Sequence, residues 1–210
     1  MATKTTKAAA GTVATATSTV VVPNEVNPED IERHYTFRNV AKFRKVSYEQ
    51  YAKDMRECGF YLPDNEMKEA YDAIKIPVRA TQGSAGYDFF SPIPFALRNM
   101  TVAPRGITFP TGIQCELAPG FCLFMLPKSG LGIRQYSRLG NCIGLIDRDY
   151  IFSDNEGDIY VNLRSDIPGN PPVDIHVGQA ICQGIILPFC VVDKDETTEK
   201  RNGGLGSTGK

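Results

Sequence analysis

Along this chain the positions that favour burial change their spacing, and each change marks a different kind of structure. Between about residues 29 and 75 the spacing is helical: Tyr48, Tyr51, Ala52 and Met55 recur at three- and four-residue intervals and so share one helix face. Ser47 followed by Gln50 fits a capping box at the start of that helix, and Gly59 supplies a stop. A second short helix is expected near Asp64, after Pro63, with Met67, Ala70, Tyr71 and Ile74 on one face. Helices this short do not build a core of their own, so they are expected to pack on the main domain or on a neighbouring subunit.

From Ile76 to Val192 the pattern turns to β. Short apolar or alternating runs, among them Ile107 to Leu117, Phe121 to Leu126, Asn141 to Ile146, Ile159 to Leu163 and Ile181 to Leu187, are separated by Gly and Pro. Ile159, Val161 and Leu163 alternate cleanly, as they do when one face of a strand is buried and the other is wet. Many short strands with frequent turn signals predict an all-β domain, a closed barrel or jelly roll. A βαβ pattern and the G-x-x-x-x-G-K-[ST] loop are both missing, which argues against a P-loop nucleotide fold. The expected organisation is a low-complexity, disordered tail over residues 1–28, a helical extension over 29–75, the β domain over 76–192, and a glycine-rich tail over 193–210.

Composition narrows the classes of function. The 23 Lys+Arg against 24 Asp+Glu leave a formal charge of −1, so no global field recruits nucleic acid or an anionic membrane. Apolar runs stay short of the ~18 to 20 residues that a spanning helix needs, and the Thr-rich start does not resemble a signal peptide. Six cysteines form no C-x-x-C pair and lie mostly in apolar runs, so they read as buried free thiols suited to a reducing cytoplasm. His34 and His176 have no ligand-like spacing around them.

Four segments carry candidate chemistry. Gly83-Ser84-Ala85-Gly86-Tyr87-Asp88 allows a tight turn that leaves Asp88 at a strand start; an ordinary turn explains it equally well. Pro127-Lys128-Ser129-Gly130 gathers a cation, a hydroxyl and backbone N–H groups, the equipment for phosphate oxygens, although such loops also occur without that use. Gly140-Asn141-Cys142-Ile143-Gly144-Leu145-Ile146-Asp147-Arg148-Asp149-Tyr150 is an apolar strand ending in two carboxylates and a ring. It puts charge at the edge of a dry core, where a carboxylate can act as a base or orient water. The tail from Arg201 to Gly209 is rich in glycine and carries two hydroxyls, which suits either a disordered end or a flap over a triphosphate.

In this order, and on a β domain, the four segments closely resemble the trimeric dUTPase family over about residues 76 to 209; PKSGLGIRQYSRLGNCIGLIDRDY matches two of its motifs with their spacing. The resemblance implies a dUTPase-like distorted jelly-roll β-barrel. It implies an enzyme that hydrolyses dUTP to dUMP and pyrophosphate, with Asp147 orienting the water that attacks the α-phosphate. Asn141, Gly144 and Ile146 would read uracil and Tyr150 would pack on the deoxyribose. Lys128, Ser129, Gly130 and Gln183 would hold the phosphate chain, and Arg201, Leu205, Gly206, Ser207 and Thr208 would close over the nucleotide. Mg2+ would ride mainly on the triphosphate, with Asp88 meeting it through water. A homotrimer with shared active sites is implied as well.

Departures from the family pattern are Lys128 and Ala180, each where arginine is usual, and Leu205, where an aromatic is usual. Residues 151–158 look like an inserted acidic loop, read as a solvated turn. Two other readings compete. A dCTP deaminase would need a glutamate in the strand after the third motif, where Ile159 to Leu163 holds no acid. A dUTPase-fold regulatory or binding protein with weak hydrolysis is motivated by the extension and the inserted loop.

Overall fold

The computed structural model describes residues 39–99, 101–166, 171–199 and 201. The tail expected over residues 1–28 lies outside them, as do Leu205, Gly206, Ser207 and Thr208.

The extension does not consist of helices alone. Residues Ala41–Lys45 form a strand, β1, inside the range expected to be helical, and it pairs antiparallel with β6 (Ile113–Leu117) from Ala41 opposite Leu117 to Lys45 opposite Ile113. A free edge on β6 decided this: five residues of alternating exposure satisfy both chains' backbone groups across the ladder.

Helix α1 (Tyr48–Glu57) starts where the capping residue predicts, with Ser47 Oγ accepting from Gln50 N at 3.1 Å. The reciprocal half of the box is rearranged. The Gln50 side chain donates forward to Asp54 Oδ1 at 2.7 Å, and Ser47 N donates instead to Glu156 Oε2 at 2.8 Å. At the other end Gly59, at φ +89, allows Phe60 N to reach Met55 O, the Schellman closure. Helix α2 (Asp64–Asp72) follows Pro63. Tyr51, Met55 and Met67 are fully buried in the same apolar cluster as the strands. Each such side chain contributes roughly 1.5–3 kcal/mol on leaving water. Gly112, at φ +69 in the turn between β5 (Ile107–Pro110) and β6, makes the junction possible, because a Cβ there would lie 2.3 Å from Ile74 Cδ1. The run expected from Ile107 to Leu117 is therefore two strands, broken at that turn.

The remaining strands are β2 (Val78–Arg79), β3 (Tyr87–Phe90), β4 (Phe95–Leu97), β7 (Phe121–Pro127), β8 (Ser137–Leu139), β9 (Gly144–Ile146), β10 (Tyr160–Ser165), β11 (Val173–Ile175) and β12 (Ala180–Pro188). They form an all-β jelly roll of small sheets ordered β1-β6, β5-β10-β8, β11-β4 and β2-β3-β12-β7-β9, and every strand ladder among the described residues is antiparallel. The core runs between them through Phe89, Leu97, Phe109, Leu123, Ile159, Leu163 and Ile181. The strand expected from Asn141 is shorter at its start. Asn141 to Ile143 form a turn, with Cys142 at φ +63 and Ile143 N donating to Asn141 O, and pairing begins only at Gly144.

All six cysteines are free thiols, and Cys115, Cys122 and Cys182 are buried as expected. Cys142 and Cys190 are exposed, contrary to that expectation, because a turn and the segment after β12 carry them. No helix among the described residues is long and apolar enough to cross a membrane.

Candidate active site

The five-stranded sheet gives the candidate residues their positions, since β3, β12, β7 and β9 each end in or carry one of them. β9 runs antiparallel along the middle of β7, with Met125 opposite Gly144 and Leu123 opposite Ile146, so that the chain leaves β9 toward the Phe121 end. The chain then leaves the ladder at Asp147, whose extended backbone starts a short 3-10 turn, Arg148–Phe152. A cavity of about 290 Å³ opens here, lined by Asn141, Gly144, Ile146, Asp147, Tyr150 and Arg201 together with Met125 and Tyr160.

The cavity has a shape that follows from its residues. Gly144 is buried with Met125 Cβ only 3.0 Å from where its own Cβ would stand, so the floor is bare backbone with no room for a side chain. Asn141 is exposed at the rim, its amide 3.6 Å from that same point. Tyr150 is buried; its hydroxyl donates to Asp158 O at 2.9 Å and accepts from Asn155 Nδ2 at 3.2 Å. Burial raises its pKa. The ring is thus a neutral apolar wall held from behind.

Asp147 keeps its carboxylate 43% exposed at the mouth. Arg201 clamps it: the guanidinium donates from Nη2 to Asp147 Oδ2 and from Nε to Asp149 Oδ1 at 2.9 Å, and it sits 5.8 Å from the Tyr150 ring centroid. The last described residue of the tail is therefore docked on the third segment.

The second group of candidates gathers at the opposite end of β7. Lys128 Nζ donates to Asp88 Oδ1 at 2.5 Å, with both side chains mostly covered. Gln183, on β12, is directly opposite Asp88 on β3 and donates to Pro127 O at 3.2 Å. Ser129 is exposed and opens helix α3 (Ser129–Gln135), whose first N–H groups, that of Gly130 included, have no partner within the helix. Ala180 begins β12 on the same side. Among the described residues no three His, Cys, Asp or Glu side chains converge as a metal site.

Within a chain Asp147 itself stands apart from the second group. Asp147 follows Ile146, which pairs with Leu123, whereas Lys128 and Ser129 follow Pro127; at about 3.3 Å per residue the strand separates them by roughly 20 Å.

Three features were not legible beforehand. Tyr160 and Val161 line the cavity from β10, which brings no carboxylate to it. The acid next to that strand, Asp158, is fully buried and points at Gly112 N, 2.9 Å away. Arg134 folds back over the Ser129-Gly130 turn, its Nη2 2.9 Å from where a Gly130 Cβ would be, and adds a cation that spacing alone did not single out. The inserted loop, expected to be a solvated turn, is tied down by Glu156, whose two oxygens accept from Ser47 N and Oγ at 2.8 and 2.7 Å.

Known proteins resemble this chain in sequence and in fold. Residues 72–209 match the dUTPase family. The deoxyuridine 5'-triphosphate nucleotidohydrolase of Lactococcus lactis is 38% identical over 140 residues, covering 65% of this chain and 89% of that protein. Its counterpart in Actinobacillus pleuropneumoniae is 39% identical over 144 residues, covering 64% and 87%. Among solved structures, the dUTPase of Streptococcus mutans aligns with a TM-score of 0.52 at 22% identity, over 72% of this chain and 98% of that one. A mutant dUTPase of phage phi11 of S. aureus, described for its coordination of a structural Mg(II) ion, aligns at 0.51 and 16% identity, over 77% and 98%. At these identities the structural likeness concerns the fold.

Proposed function

The chain belongs to the dUTPase family and is a dUTP-hydrolysing enzyme; we propose that it converts dUTP and water to dUMP and pyrophosphate by attack on the α-phosphorus, with Asp147 holding the water. The observation that carries this reading is the carboxylate of Asp147 at the mouth of a cavity whose floor is Gly144 and whose wall is Tyr150.

In this reading uracil enters over Gly144, where Asn141 and the strand backbone supply pairing-like hydrogen bonds and the close floor leaves little room for a 5-methyl group. Tyr150 stacks against the deoxyribose and leaves a 2'-hydroxyl nowhere to go. Lys128, Ser129 and Gln183 hold the phosphates, and the backbone N–H groups at the start of helix α3 donate to phosphate oxygens. Arg201 then exchanges Asp147 and Asp149 for phosphate oxygens, drawing residues Leu205, Gly206, Ser207 and Thr208 over the substrate. Catalysis is mainly positioning and electrostatics, because Asp147 has only to orient water in line with the leaving pyrophosphate.

Because Asp147 and the Ser129 group stand toward opposite ends of β7, each complete site draws on neighbouring copies of the chain, in the proposed homotrimer. With no cluster of three ligating side chains among the described residues, a magnesium ion would be carried mainly by the substrate's phosphate oxygens, and Asp88, a hard oxygen donor, would meet it through water. Bound there, the ion neutralises phosphate charge.

The test is pyrophosphate release from dUTP, UTP, dTTP and dCTP, with and without magnesium, in water enriched in oxygen-18. Turnover confined to dUTP, dependent on magnesium, with the label in dUMP, is the expected result. Label in pyrophosphate, or comparable turnover of dTTP or UTP, overturns it.

A further inference from the structure

Behind the cavity lies a pair of acids that the proposed mechanism does not use. Asp54, on helix α1, and Asp158, just before β10, are 1% and 0% exposed. Asp54 Oδ1 accepts from Gln50 Nε2 at 2.7 Å and Asp158 Oδ1 accepts from Gly112 N at 2.9 Å. The remaining oxygen of each, Oδ2, is buried without an N–H or O–H donor from another group. Two such oxygens are satisfied together if the carboxyls share one proton, one acting as acid and the other as carboxylate. Burial raises the pKa of both, and the neighbouring Asp54 charge raises that of Asp158 further, which keeps that proton in place.

This pair connects directly to the ligand-facing wall. The backbone carbonyl of Asp158 is the acceptor for the Tyr150 hydroxyl, and Tyr160, which lines the same cavity, stands near enough to Asp54 that burial and then the Asp54 charge raise its pKa. Glu156 fastens the loop between Tyr150 and Asp158 to the start of helix α1 through Ser47. The helix is thereby joined to the loop at both ends of the contact.

We propose that Asp54 is a positioning residue for the nucleotide: through a proton shared with Asp158 it sets the placement of Tyr150 and Tyr160, so the N-terminal helix is part of the sugar-recognising apparatus. The proposal rests on the site assignment above and extends it to a segment outside the matched family region, since Asp54 precedes residue 72. Asp54 does not touch substrate; it acts on where the wall stands.

The experiment compares Asp54→Ala with Asp54→Asn in the full-length chain. Asparagine keeps an acceptor for Gln50 and offers an N–H to Asp158, so it should rescue what alanine loses. For Asp54→Ala the KM for dUTP should rise about tenfold with kcat within about twofold, and discrimination against UTP should fall by a similar factor. Asp54→Asn should restore most of both. A purely structural role predicts instead a lower Tm with unchanged KM and unchanged discrimination, and that outcome overturns the proposal. A second readout does not need turnover: in protein labelled with 13C-tyrosine, the Tyr150 and Tyr160 ring signals, assigned by Tyr→Phe substitution, should move in Asp54→Ala and return in Asp54→Asn. Unmoved signals overturn the proposal even if the enzyme is active. Moved signals in a chain that does not hydrolyse dUTP keep the proposed wall placement and count only against the site assignment.

Discussion

Arg201 donates to Asp147, and the same guanidinium donates to Asp149 at 2.9 Å, so the carboxylate proposed to hold the attacking water is occupied by a cation from the C-terminal tail. With its side chain 16% exposed, this arginine is docked. A triphosphate offers it a denser set of oxygens, and the proposed mechanism requires the guanidinium to move from the two aspartates to the phosphates, which would free Asp147.

Replacing Asp147 with Asn keeps the shape and removes the charge that orients water. Turnover of dUTP should fall by about 10³-fold or more, while the affinity for a non-hydrolysable dUTP analogue stays within a few-fold. Steady-state kinetics and calorimetry measure the two; turnover near the wild-type rate contradicts the assignment.

Deleting residues 201–210 removes the Arg201 clamp but none of the described residues of the apolar core. The oligomer should persist by light scattering and the Tm should change little, while kcat/KM falls by about 100-fold or more through loss of the phosphate-facing groups. Loss of the oligomer would show that the tail is a structural strap.

Lys128→Met leaves the Asp88 carboxylate, 13% exposed, without its cation. Stability should drop by about 1–3 kcal/mol, measured by urea unfolding, because the partner charge remains half-desolvated. Lys128→Arg should retain most of the stability, since a guanidinium also reaches a carboxylate.

The buried acid pair makes stability depend on pH in a direction that can be worked out. Burial raises the pKa of Asp158 above its unfolded value, so the native state holds a proton that the unfolded chain releases. The stability that this proton contributes is full below about pH 4 and is lost as pH rises through the raised value. Around the pair stand Tyr51 and Glu57 of helix α1, Cys58 at its C-cap, and Tyr150 and Tyr160; burial pushes the Cys58 thiol up to about 11 and the tyrosines up as well, so the thiol and the tyrosines stay uncharged at neutral pH. Asp158→Asn cannot ionise. Relative to it, the wild type should lose Tm as pH rises above about 4, as read by thermal scans at constant ionic strength. A pH-independent difference would show that Asp158 ionises normally.

Much of this molecule was written locally. Ser47 announces the start of helix α1 because a cap depends on a side chain and a backbone N–H three residues apart. Gly59 announces its end because the Schellman closure needs a left-handed residue. The alternation through Val161 and Leu163 announces a half-buried strand, and the order of the short motifs announces the family, since each is a run of residue types that needs no knowledge of its surroundings. Tertiary structure alone decided the rest. Ala41–Lys45 became a strand because β6 offered an edge more than sixty residues away, Gln50 turned from Ser47 to Asp54 because Glu156 took its place, and Asp54 met Asp158 across more than a hundred residues. Local spacing carries no record of such distant pairings, because they arise only when burial brings polar groups together and obliges them to satisfy one another. The roughly 20 Å between Asp147 and the Ser129 group belongs to the same class: both motifs are legible, but only the course of β7 places them toward its opposite ends.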